Sequence, residues 1–120
     1  MPPAASSNSV KIISLNRNKL LQQLQQIARR IQNDHPNVTE IRLFGSLGRG
    51  NQTGMSDVDI LIILEHTVEK DPLQRILTFL PYFEIDRGVD VLVFTRSEIE
   101  NRLTGGDVNF SRILAESILL

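Results

Sequence analysis

The chain has 120 residues, room for one domain and no second core. Its net charge of −1, with 22% charged and 41% apolar residues, is ordinary for a soluble globular domain and argues against a general nucleic-acid coat. There is no cysteine, which excludes disulfides, thiolate metal sites and a cysteine nucleophile.

Residues 1–11 (MPPAASSNSVK) are rich in Pro, Ala and Ser and read as a flexible tail, leaving 12–120 as the folded domain. The stretch has no apolar core of signal-peptide length, and no later run approaches the roughly 20 apolar residues of a membrane span. The expected setting is the cytoplasm. The next segment repeats Leu20, Leu24, Ile27 and Ile31 at helical spacing, with Leu21 and Ala28 widening the stripe. This predicts an amphipathic helix over 17–33, capped by Asn16 or Asn18 and stopped by Pro36. TEIRLF (39–44) alternates as a first strand. A Gly-rich window follows, and DVDILIIL (57–64) reads as a second strand. Apolar continuity beyond Asp59 implies burial on both faces, hence a central position. DPLQRILTFL (71–80) reads as a helix, with Asp71 as cap and Pro72 in its first turn. VDVLVF (89–94) is a third strand. A helix then starts with Ser97 and Glu100 as a capping box, and Gly105-Gly106 ends it. NFSRILAESILL closes the chain as a short helix and an edge strand.

The direct link from the first strand to the second allows antiparallel pairing. The helix between the second and third implies a parallel crossover. The expected fold is α+β (mixed α/β): a small mixed sheet with helices packed on one face.

The chemistry concentrates in FGSLGRGNQTGMSDVDILII (44–63), which holds four of the seven glycines. In a strand, residues i and i+2 share a face, so Asp57 and Asp59 point the same way. Two carboxylates side by side repel unless a cation sits between them. Oxygen-only ligands suit Mg²⁺ or Mn²⁺, with water and substrate phosphates completing the shell. Asp90, early in the third strand, joins the pair if the second and third strands are neighbours. Three carboxylates around two metal ions suit in-line nucleotidyl transfer. Gly45 lets the backbone turn sharply beside a ligand. Ser46, at the start of a short helical turn, offers a hydroxyl and free N–H groups to a phosphate. Arg49 could face the same anion.

Gly45-Ser46, ten residues, then Asp57-x-Asp59 opening an apolar strand, with Asp90 opening another, resembles the nucleotidyltransferases of the DNA polymerase beta-like superfamily. RLFGSLGRG, SDVDILI, VDVLVF and the ending RILAESILL resemble in particular the minimal stand-alone members, the MNT domains, over residues 18–120. Gly48 stands where the family often has Ala. Ser117 stands where it commonly has Gly, and the family's final Tyr is missing. The resemblance implies that Gly45 and Ser46 bind the phosphates of ATP and that Asp57, Asp59 and Asp90 ligate two Mg²⁺ ions. Asp90 would also help deprotonate the acceptor. It further implies a hetero-oligomer with a HEPN-family toxin, AMP transfer to a tyrosine of that toxin, and a role as its antitoxin in a type VII-like toxin–antitoxin pair. A non-catalytic antitoxin acting by contact, or a small-molecule (antibiotic-type) nucleotidyltransferase, are the alternatives. His35 reads as a surface residue, His66 as a polar loop residue, and Tyr82, the sole tyrosine, as a packing residue.

Overall fold

The computed structural model describes the backbone of residues 2–45 and 57–120, with side chains from residue 17 onward. Four helices and four strands form its described part: α1 (Pro2–Asp34), β1 (Val38–Phe44), β2 (Val58–Leu64), α2 (Pro72–Phe79), β3 (Val89–Thr95), α3 (Arg96–Thr104), α4 (Val108–Glu116) and β4 (Ile118–Leu119). A 3-10 turn, Leu80–Tyr82, follows α2.

The strand order is β3-β2-β1-β4. β1 and β2 pair antiparallel, with Phe44 opposite Asp59. β2 and β3 pair parallel, with Asp59 beside Asp90. β4 adds antiparallel to the outer edge of β1. The expected antiparallel hairpin, parallel crossover and central second strand are all present.

The helices cover both faces of the sheet, where one face was expected. Leu24, Ile27 and Ile31 of α1 pack with Ile41, Leu43, Ile60, Ile62 and Phe79 on one side. Leu61 and Ile63 point the other way and are covered by Ile99 of α3 and Phe110 of α4. The cause is β2 itself. A strand apolar at every position from Ile60 to Leu64 exposes oil on whichever face is left open, so each face needs a lid. A five-residue apolar run of this kind cannot be covered by α1 and α2 alone.

Element ends differ in instructive ways. α1 runs back to Pro2 rather than starting at 17, so neither Asn16 nor Asn18 is its cap. Its two prolines sit in the first turn, where a missing N–H is harmless. The α3 cap is Thr95, whose hydroxyl accepts from Glu98 N while the Glu98 carboxylate accepts from Thr95 N. The same capping-box chemistry as the Ser97/Glu100 pair therefore operates two residues earlier, because β3 runs directly into α3. Asp71 caps α2 as expected, accepting from Leu73 N at 3.0 Å.

The crossover is fastened by Arg75, only 8% exposed. Its guanidinium donates to both carboxylate oxygens of Glu98, at 2.7 and 3.2 Å, and to the Glu69 carbonyl at 2.7 Å. A long donation to the Val93 carbonyl, 3.4 Å, ties it to β3. Arg75 thus joins α2, β3 and α3 with a planar donor fork that lysine lacks. The Arg75 contact holds the Glu98 carboxyl below its ordinary value. His35, half-buried at the end of α1, stacks edge-on against Phe79 and Tyr82. Tyr82 packs there as expected, and its hydroxyl donates to Asp34 Oδ2 at 2.6 Å.

Candidate active site

The three acids reach one end of the sheet through register alone. Asp59 and Asp90 are partners across the parallel β2–β3 pair. Side chains at paired positions share a face. Leu61 and Ile63 of β2 and Leu92 and Phe94 of β3 lie on the α3/α4 side, so Asp59 and Asp90, two residues before Leu61 and Leu92, face that side too. Asp57 precedes β2 by one residue. The Val58 N–H donates to the Gly88 carbonyl at 2.9 Å, which carries the parallel pairing one step past β3 and sets Asp57 beside Gly88. Asp57 and Asp90 are exposed, and Asp59 is half-buried.

Two glycines make room for these carboxylates. Gly45 directly follows β1 with φ +72°, a left-handed conformation that favours glycine. A Cβ placed there would collide with the Asp59 carboxylate. A Cβ on Gly88 would sit 2.8 Å from Asp57 Oδ1 and 3.0 Å from its Cγ. Backbone therefore lies flush against an acid on each side of the row. Gly45 was legible in the sequence. Gly88 was missed, although its place two residues before Asp90, at the mouth of a strand, was the available signal.

A cavity of about 490 Å³ opens beside Gly45, walled by Phe44 and by Asn109, Arg112, Ile113 and Glu116 of α4, so that one cation and one acid line it. Arg112 also went unremarked in the sequence. It brings a cation to the Gly45 side of the acid row, held by a 2.9 Å donation to Asn109 Oδ1. Ser46 and Arg49 lie outside the described residues.

The donors of the row are all carboxylate oxygens, the set that hard divalent cations take. Among the described residues, no group of three or more acidic or histidine side chains converges as a metal cage. What Asp57, Asp59 and Asp90 share is one face and one end of the sheet, with room kept by Gly45 and Gly88. Such a row fits an ion whose remaining positions are filled by water and phosphate oxygens.

A mixed sheet with an acid row at its open end and a left-handed glycine closing the hairpin beside it is the build of a nucleotidyl-transferring domain. The comparisons agree. Residues 24–119 match the family model described as "Nucleotidyltransferase domain", and the chain belongs to that family and is a nucleotidyltransferase. It is 33% identical over 86 residues to a Methanocaldococcus jannaschii protein named "Putative protein adenylyltransferase", covering 69% of this chain and 85% of that one. The crystal structure of a "putative nucleotidyltransferase from Sulfolobus solfataricus" superposes with a TM-score of 0.65 at 23% identity, over 87% of this chain and 81% of that one, and shows the shared fold. A toxin–antitoxin crystal structure with AMP-PNP reaches a TM-score of only 0.39 at 24% identity, over 65% of this chain and 56% of that chain.

Proposed function

We propose that this chain transfers AMP from ATP to a tyrosine hydroxyl of a partner protein, a HEPN-type toxin, and thereby acts as its antitoxin. The observation that supports it most is the register pairing of Asp59 with Asp90, with Asp57 one step further along the row. The protein substrate is suggested by the name of the Methanocaldococcus relative. The transferase domain is taken as residues 12–120; among the described side chains of α1, Leu20 is the first that is buried. The reaction is set in the cytoplasm. Among the described residues no helix is long and apolar enough to cross a membrane.

In this reading Asp57, Asp59 and Asp90 would hold two Mg²⁺ ions, which would neutralise the triphosphate and lower the pKa of the attacking hydroxyl. The Gly45 backbone approaches the phosphates, and the Ser46 hydroxyl, its N–H and Arg49 bond their oxygens. Arg112 stands on the same side, with Glu116 in the same wall. Asp90 takes the proton of the acceptor hydroxyl. The hydroxyl oxygen forms a bond to the α-phosphorus as the bond to the pyrophosphate oxygen breaks. AMP stays on the acceptor and pyrophosphate leaves.

The test incubates the chain with α-labelled ATP, Mg²⁺ and the HEPN-type partner. Label on a partner tyrosine is the expected result, lost in Asp57→Asn with Asp59→Asn. Equal labelling by that double variant would sink the mechanism. Neutralisation of the toxin by the same variant would favour an antitoxin that acts by contact alone. Transfer to a small molecule with no partner present would make the chain a small-molecule nucleotidyltransferase.

A further inference from the structure

Register joins the cavity beside Gly45 to the acid row. Phe44 is the cross-strand partner of Asp59, and Asp59 is the partner of Asp90. Paired positions share a face, so Phe44, Asp59 and Asp90 form one rung across three strands. Phe44 packs against the cluster of Leu61, Ile63, Ile99 and Phe110, which fixes that face as the α3/α4 side. The same Phe44 walls the cavity. Gly45 belongs to both features: it lines the cavity, and its missing side chain leaves the space that the Asp59 carboxylate fills. Cavity and acids therefore adjoin on one face of the sheet.

The direction of α4 sets the charge of the far wall. Phe110, near its start, stacks edge-on against Phe94, which pairs with Ile63 at the end of the sheet remote from the acids. Ser117 caps its end, and Ile118 then pairs with Leu43, one residue before Phe44. The helix thus runs toward the acids and turns its C-terminus, the negative end of its dipole, to the cavity. Glu116 adds a carboxylate there and Arg112 one cation. A polyphosphate gains little from such a wall. A neutral, flat group with polar edges gains more. Phe44 and Ile113 give it apolar surface, Arg112 gives donors and Glu116 an acceptor. Asn109 Oδ1 steadies the guanidinium by accepting from it at 2.9 Å. The volume, about 490 Å³, falls within the roughly 300–1,000 Å³ of small-molecule pockets.

We infer that this cavity holds the nucleoside of the donor nucleotide, with its base against Phe44 and Ile113 and its polar edge toward Arg112 and Glu116. Aromatic rings stack on bases of any sequence, and guanidinium and carboxylate groups pair with base edges. The rung then orders the donor. The base lies beside Phe44, the α-phosphorus over Asp59 and Asp90, and the pyrophosphate away from the negative end of α4. The inference rests on the proposed nucleotide transfer and adds where the nucleoside sits.

The experiment titrates the full chain with Mg²⁺-ATP and with Mg²⁺-tripolyphosphate, which is the phosphate chain without a nucleoside. Arg112→Ala and Glu116→Gln are made singly and together, with thermal melts to check folding. Arg112 is exposed, so its variant carries the test alone if Glu116→Gln fails to fold. Wild-type protein should bind ATP more tightly than tripolyphosphate. That preference, the ratio of the two Kd values, should fall about tenfold on loss of a charged partner to the base. Wild-type protein that binds neither ligand overturns nucleotide transfer and the cavity's role with it. Equal binding of the two ligands by wild-type protein, or a preference that the variants leave unchanged, overturns the nucleoside assignment alone. Arg112→Ala that weakens both ligands alike overturns it by making the cavity a phosphate site. A raised KM for the protein acceptor with an unchanged preference overturns it by making the cavity the acceptor's.

Discussion

Gly88→Ala is the sharpest probe of the site, because it changes one methyl group and spares the backbone. Gly88 has no left-handed φ, so alanine fits its conformation. The new Cβ would lie 2.8 Å from Asp57 Oδ1, 3.0 Å from Cγ and 3.2 Å from Oδ2. Ordinary contact with carbon begins near 3.5 Å, so the carboxylate must move by about half an ångström or rotate away. The shift is cheap for folding, since Asp57 is exposed and its carboxylate is the end of a movable side chain. It is costly for chemistry. Reaction geometry tolerates about 0.5 Å, and a misplacement of about 1 Å costs on the order of 10²-fold. A fall in kcat of about 10- to 100-fold is expected, equivalent to about 1.4–2.7 kcal/mol in the barrier. The assay is single-turnover release of pyrophosphate from saturating ATP and acceptor, beside a thermal melt. Stability within about 0.5 kcal/mol of wild type is expected. An unchanged kcat in a folded variant would refute the placement of Asp57 in the machinery.

Gly45→Ala meets two obstacles at once, a left-handed φ and the Asp59 carboxylate. It should lose activity and also melt lower, by about 1–2 kcal/mol in urea titration. Arg75→Met removes a buried guanidinium that joins α2, β3 and α3. The expected cost is about 1–3 kcal/mol, below that of a fully buried pair because Glu98 is 40% exposed, read as a lower urea midpoint. Arg75 holds the Glu98 carboxyl below its ordinary value, so this contribution is present above the usual glutamate range and is lost as pH falls through the depressed folded value. Between pH 5 and 3 wild-type protein should therefore lose more stability than Glu98→Gln; parallel urea midpoints would contradict the assignment. Tyr82 is the sole tyrosine and there is no tryptophan, so phenolate absorbance reports it alone. The hydrogen bond to Asp34 raises its pKa, and Asp34→Asn should bring the titration back toward the ordinary phenol value. A titration identical in the two proteins would mean the bond is absent in solution.

Much of this was legible because local pattern and tertiary demand agree. The unbroken apolar run of β2 called for a buried central strand, and burial on both faces follows from that run. Asp71 and Pro72 announced the start of α2. The pairing of Asp59 with Asp90 followed from the strand–helix–strand order, since a crossover helix makes parallel neighbours. The α3 boundary slipped by two residues because Thr95 serves both as the last residue of β3 and as a helix cap. Propensity sees such a residue as one or the other. Gly88 and Arg112 were missed for a different reason. Their meaning lies in what stands across from them, Asp57 and Gly45, on segments far away in sequence, and no periodicity carries that information.

The side-by-side setting of Asp59 and Asp90 has a price in the resting protein. Like charges at neighbouring positions of a sheet weaken it by roughly 0.2–1 kcal/mol, here where the central strand β2 meets the edge strand β3. Asp90→Asn should then yield an inactive chain that melts no lower than the wild type. Evolution toward a sturdier fold would pass straight through the loss of the enzyme, a direct conflict between endurance and activity written into one rung of the sheet.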